Sequence, residues 1–107
     1  MPQQLLPQTN NVDVIGTLAS VPILRELADG EVVLQWRMKV CVEGEPPTSI
    51  PCATRQSSVI KKMEKFEPGV ALALKGSVVS RYWVSAGATG SRVEVAVTSA
   101  EKCRLAS

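Results

Sequence analysis

The residues from Gly69 to Trp83, GVALALKGSVVSRYW, carry the pattern that most limits how this chain folds. Successive side chains of an extended backbone point to opposite faces. Val70, Leu72, Leu74, Gly76 and Val78 therefore share one side, and Ala71, Ala73, Lys75, Ser77, Val79, Arg81 and Trp83 the other. The first side reads as core. The second begins small and neutral and turns cationic and aromatic towards Trp83.

The same two-residue period recurs along the chain. Val12, Val14, Gly16 and Leu18 alternate with Asp13, Ile15, Thr17 and Ala19, and Pro22 ends or redirects that strand. After a turn at Ala28-Asp29-Gly30, Glu31 to Val42 alternate most clearly, with Leu34, Trp36, Met38 and Val40 on one face and Val33, Gln35, Arg37 and Lys39 on the other. Trp36 belongs with its apolar face-mates in the core. Gly44, Pro46 and Pro47 mark a loop that returns the chain for a third strand, Ser49 to Arg55. Helical spacing appears once: Ser57 or Ser58 caps a run in which Val59, Ile60, Met63 and Phe66 face inward and Lys61, Lys62, Glu64 and Lys65 face water, and Pro68-Gly69 stops it. The long strand follows, then a small loop, Ser85 to Gly90. Val93, Val95 and Val97 form a last strand with Arg92, Glu94 and Ala96 opposite.

With 107 residues there is room for one core, and the 45% apolar share, drawn mostly from Val, Leu and Ala with few aromatics, suits strands. The prediction is an all-β domain over residues 11–105, preceded by a flexible arm over residues 1–10 that has nothing to bury. Five strands with one helix between the third and fourth is the order of an OB-fold, a five-stranded Greek-key barrel whose outer sheet and loops bind oligonucleotides.

Net charge is +2, from twelve Lys/Arg against ten Asp/Glu, so the placement of cations carries more meaning than their number. Cys41, Cys52 and Cys103 have no C-x-x-C spacing, and the sequence contains no histidine. Neither a disulfide framework nor a zinc site is indicated, and no metal or other cofactor is expected. No nucleophile is paired with a base, so an enzyme is not expected either. The first residues lack the charged start and apolar run of a secretory signal, and no stretch is long enough to span a bilayer, which leaves a cytoplasmic, nucleoid-associated site and no membrane partner as the expectation.

An arginine beside a flat ring on an open sheet suits single-stranded nucleic acid, since every nucleotide has a phosphate and every base a π-face. The candidate contact residues are Arg37, Lys39, Arg55, Lys75, Arg81, Trp83 and Arg92. A simpler reading stands beside this one: charged pairs such as Arg37 and Lys39 also wet an ordinary strand, and a tryptophan near a strand end is often packed.

Several of these residues resemble the bacterial single-stranded DNA-binding protein family. Gly16-Thr17-Leu18 followed by Pro22-Ile23-Leu24-Arg25 is similar to the family's G-x-L-x-x-x-P-x-L-R opening, and Ile50-Pro51-Cys52-Ala53 to its third-strand I-P-V-V. Gly76 with Ser80-Arg81-Tyr82-Trp83, then Gly90 and Glu94-Val95-Ala96-Val97, are similar to G-x-x-x-S-R-x-W, a loop glycine, and E-V-V-A. The resemblance implies an OB-fold that wraps single-stranded DNA without chemistry in replication, recombination or repair, assembled as a homotetramer or homodimer. Trp83 matches a family stacking position. Arg55 falls where the family has Phe or Trp, and a third stacking position falls on Ser49 or Ile50. Fewer rings shift the binding energy towards electrostatics, because each stacked base is worth about 1–3 kcal/mol.

The sequence ends at Glu101-Lys-Cys-Arg-Leu-Ala-Ser107 rather than in the acidic tip typical of the family. In size and plan it is also similar to the primosomal replication protein of the n type, so replication or primosome proteins are candidate partners. The alternative function is an OB module for protein contact, in which the same face, with its apolar Val33 and Val79, packs on another subunit.

Overall fold

The computed structural model describes residues 5–105, and of residues 83–85 the backbone alone. Six strands and one helix follow in order: β1 (Val12–Leu18), β2 (Ile23–Glu26), β3 (Val32–Val40), β4 (Thr48–Thr54), α1 (Ser57–Met63), β5 (Ala71–Ser85) and β6 (Ala88–Lys102). Each alternating run of the sequence is a strand.

The strands close on themselves. β1 pairs antiparallel with β5 from Val12↔Gly76 to Thr17↔Ala71, and its end also pairs with β3 at Thr17↔Lys39 and Leu18↔Met38. β3 pairs with β4, β5 with β6, and the circuit is completed by the one parallel contact, β4 with β6 at Cys52↔Val95 and Ala53↔Ala96. This is the five-stranded barrel order that the alternation predicts. β2 is an addition to that count. Past Pro22 the chain rejoins the same edge of β3, at Ile23↔Gln35 to Glu26↔Val32, so the helix lies between the fourth and fifth strands rather than the third and fourth.

Leu18, Leu34, Trp36, Met38, Leu72, Leu74, Val95 and Val97 fill the interior, each no more than 6% exposed. Val59 and Met63 bring the buried face of α1 onto them. The helix begins one residue earlier than a serine cap requires. Gln56 occupies the cap position without a side-chain bond, and Thr54 Oγ1 accepts its N–H instead (3.2 Å) while donating to the Val97 carbonyl (2.8 Å). Short bonds from the Lys65 and Phe66 amides to Lys62 and Met63 tighten the last turn. Gly69, at φ 97°, then turns the chain so that its amide meets the Leu18 carbonyl at 2.8 Å.

A bulge on β6 settles which side chains face inward. Lys75 pairs with Ser99 but Gly76 with Val97, which leaves Thr98 unpaired; its hydroxyl lies 3.3 Å from the Lys75 carbonyl. The extra residue inverts the alternation, so Val95 and Val97 face the core before it and Ala100 after it. The strands approach so closely that a Cβ on Gly76 would lie 2.0 Å from the Ala96 carbonyl oxygen.

Beyond this point the β5–β6 hairpin outruns its neighbours. β1 pairing stops at Gly76, while β5 and β6 continue together to Ser85↔Ala88 around a turn at Ala86-Gly87. The apolar side therefore loses its cover. Val78, on the predicted core side, is 40% exposed, and Val93 and Tyr82 are more open still. The Asn10 side chain answers β5 just past the last β1 pair: its amide donates to the Val78 carbonyl (2.7 Å) and its oxygen accepts the Val78 N–H (2.9 Å).

Candidate nucleic-acid interface

One row of cross-strand neighbours runs around the outside of the barrel: Ile23, Gln35, Ala53, Ala96 and Ser77. Its middle positions, Ala53, Ala96 and Ser77, carry only small side chains. The outer face holds two adjoining cavities. One, of about 370 Å³, is lined by Arg25, Gln35, Arg81, Tyr82 and Arg92. The other, of about 230 Å³, shares Arg25, Gln35 and Arg92 and adds Ser20 and Arg37 among its walls.

Both β3 and the hairpin feed this hollow. Arg37 is exposed on β3, its backbone amide held by Ser20 Oγ (3.0 Å) and its Nε by Ser49 Oγ (2.7 Å), so the guanidinium is fixed along the sheet. Lys39 is exposed one alternate position further along β3, opposite Ser49. Arg81 and Arg92 are direct partners across β5 and β6. Two like charges facing each other repel, and Glu94, two residues along β6, resolves the conflict: Oε1 accepts from Arg81 Nε and Oε2 from Arg92 Nη2 at 3.2 Å. The Glu94 side chain has no exposure, while the Arg81 and Arg92 side chains keep 33% and 45%. Cys52 lies beneath the same region. Burial foremost, then the charge of Glu94, pushes its thiol up to about 12, against the opposing influence of Arg37.

Of the cations singled out in the sequence, the structure brings Arg37, Arg81 and Arg92 to one hollow and leaves Lys39 beside them. The other two lie elsewhere. Arg55 is engaged by Glu31 at 2.7 Å, over a separate depression with Val32. Lys75 lines a pocket with Asn11, Asp13 and Thr98 on the β1 side, six residues and therefore roughly 20 Å of strand from Arg81. Trp83 pairs through its backbone with Gly90; its side chain lies outside the described residues.

Arg25 was not among the sequence candidates, yet it lines both cavities. The signal was present in the alternation of Ile23 and Arg25 after Pro22, but four residues are too few to announce a strand. Val33, expected on the wet face, is 2% exposed and is the cross-strand partner of Arg25. It therefore offers no surface to another subunit. Among the described residues no group of His, Cys, Asp and Glu side chains could hold a metal ion, and no helix is long and apolar enough to cross a membrane.

Solved structures share this architecture. The Plasmodium falciparum SSB in complex with ssDNA superposes with a TM-score of 0.76 at 13% identity, over 94% of this chain and 100% of that one. This chain has the fold of the single-stranded DNA-binding proteins. The mitochondrial single-stranded DNA binding protein Rim1 of S. cerevisiae gives 0.73 at 9% identity, over 90% of this chain and 96% of that one. The small single-stranded DNA-binding protein of Streptomyces coelicolor gives 0.68 at 12% identity, with the same coverage of both chains. No family model matches the sequence, and no curated protein does. What is shared is the path of the backbone; the cationic hollow is assembled from this chain's own residues.

Proposed function

We propose that this protein binds single-stranded DNA, without base sequence preference and without chemistry, across the hollow outer face of its barrel. The observation that carries the reading is the convergence of Arg25, Arg37, Arg81 and Arg92 on two adjoining cavities of one open sheet. Guanidinium groups spread along a groove track a phosphate backbone. Lys39 extends the cationic track along β3. Tyr82, 80% exposed, and Trp83, at a family stacking position, supply rings for bases at the hairpin. Arg55 and Lys75, away from the hollow, contribute general attraction rather than contacts.

The fold neighbours support the reading, one of them named as a complex with single-stranded DNA. The same proposal includes a homodimeric or homotetrameric assembly and service in replication, recombination or repair, with proteins of those processes as further partners.

Titration with oligo-dT at several salt concentrations tests it. Affinity falls with salt, with a slope of about 0.7 per phosphate engaged, and tryptophan emission is quenched. A Trp36→Phe variant assigns the quenching, because Trp36 is buried and Trp83 is the remaining indole. Absence of measurable binding at low salt refutes the reading.

A further inference from the structure

We propose that Glu94 is a positioning residue for nucleic-acid binding: it sets the Arg81 and Arg92 guanidiniums side by side at the 370 Å³ cavity, ready for one backbone phosphate. The inference rests on the single-stranded DNA reading above and assigns a role to the carboxylate that Arg81 and Arg92 share.

An acid within a cationic binding surface at first looks like a fault, since it cancels one of the charges that attract DNA. Its placement says otherwise. The Glu94 side chain is fully sealed from solvent, while both arginines that hold it keep a third or more of their surface open. The carboxylate is thus beyond reach of a bound strand and repels it only through its partners. Burying a carboxylate is costly unless it is paired and hydrogen-bonded, and here each oxygen has one guanidinium.

The register adds the reason for two arginines on one acid. Arg81 and Arg92 are opposite one another on β5 and β6, a pairing that left alone drives the two side chains apart. Glu94, bonded to Nε of one and Nη2 of the other, overcomes that repulsion and fixes both side chains at one wall of the cavity. Each guanidinium has five N–H donors. One from each goes to Glu94, which leaves donors on both for a shared anion, with Arg25 on the same cavity. A phosphodiester oxygen held by two preset guanidiniums gains charge-assisted hydrogen bonds without ordering long side chains at the moment of binding.

The test is Glu94→Gln, assayed against oligo-dT over a salt series beside the parent protein. This change removes one negative charge, so simple electrostatics requires tighter binding and a slope no shallower than the parent's. A positioning role requires the opposite: affinity roughly tenfold weaker and a slope shallower by about 0.7, the signature of one lost phosphate contact. Binding by E94Q that is equal to or tighter than that of the parent overturns the proposal. If E94Q does not fold, the parent protein answers by NMR: the Arg81 Nε–H resonance, assigned with an R81K variant, shifts as dT is added, and an unmoved resonance in a protein that does bind overturns the proposal. Failure of the parent itself to bind dT refutes the single-stranded DNA reading, which separates the two outcomes.

Discussion

Replacing Arg81 by Met separates what the Arg81–Glu94 pair does for the fold from what it does for binding. Removing one partner of a buried pair typically costs 3–5 kcal/mol, because the other charge is left without compensation in a dry site. Here the cost should be smaller, since the Arg81 side chain is one-third exposed and Glu94 keeps Arg92 at 3.2 Å. About 2 kcal/mol is the magnitude expected for R81M, or roughly 10 °C in Tm for a domain of this size. The double variant R81M/E94L removes the stranded carboxylate and fills its space with apolar volume. Arg92, nearly half exposed, is then solvated by water. Stability should return to within about 1 kcal/mol of the parent, as when a buried ion pair gives way to well-packed apolar side chains. DNA affinity should not return, because no guanidinium remains at position 81. Urea denaturation and oligo-dT titration of the four proteins of the cycle provide both readouts. A double variant less stable than R81M, or one that binds dT like the parent, refutes the reasoning.

Arg92→Gln should weaken dT binding and lower the salt slope by about 0.7, whereas Lys75→Gln, six residues from Arg81 along β5, should leave the slope within error; equal losses from both would dissolve the distinction between the hollow and the rest of the surface. Gly76→Ala should destabilise by about 3 kcal/mol or prevent folding, since its Cβ would meet the Ala96 carbonyl oxygen at 2.0 Å and packed cores resist added volume; Gly87→Ala, with nothing within 4 Å and only its φ of 80° to lose, should cost about 1 kcal/mol, and thermal melts rank the two. Cys52 has its thiol raised from 9.0 to about 12, so the neutral form is favoured on folding, and the stability this confers is complete below pH 9 and is lost as pH rises from 9 towards 12. Denaturation curves of Cys52→Ala should therefore fall less steeply over that window than those of the parent, and a thiol reagent at pH 8 should label exposed Cys41 while sparing Cys52 in the folded protein.

Much of this protein is legible without coordinates because alternation is a local property. Leu72 and Leu74, Leu34 with Trp36 and Met38, and Val95 with Val97 each fall on one side of an extended backbone whatever their neighbours are. Their burial needs only that a core exists. The helix is legible for the same reason, from the spacing of Val59 and Met63. The pairing of Arg37 with Lys39, and the cationic turn of β5 towards Arg81, likewise follow from parity within a single strand.

What lies between strands required the tertiary structure. The bulge at Thr98 and the Ala96 carbonyl crowding Gly76 are properties of two strands meeting, and neither strand announces them alone. Val78 departs from the core because β1 starts only at Val12, opposite Gly76, a length mismatch between segments far apart in sequence. Val33 and Arg25 acquire their places only when four residues after Pro22 join the edge of β3, and Arg55 and Lys75 lie apart from the hollow, the first against Glu31 and the second beside Asn11 and Asp13. Glu94 is the clearest case. By parity it is one more charged residue on a wet face; pairing across β5 and β6 adds Arg81 to Arg92 of its own strand, and the carboxylate between them is sealed.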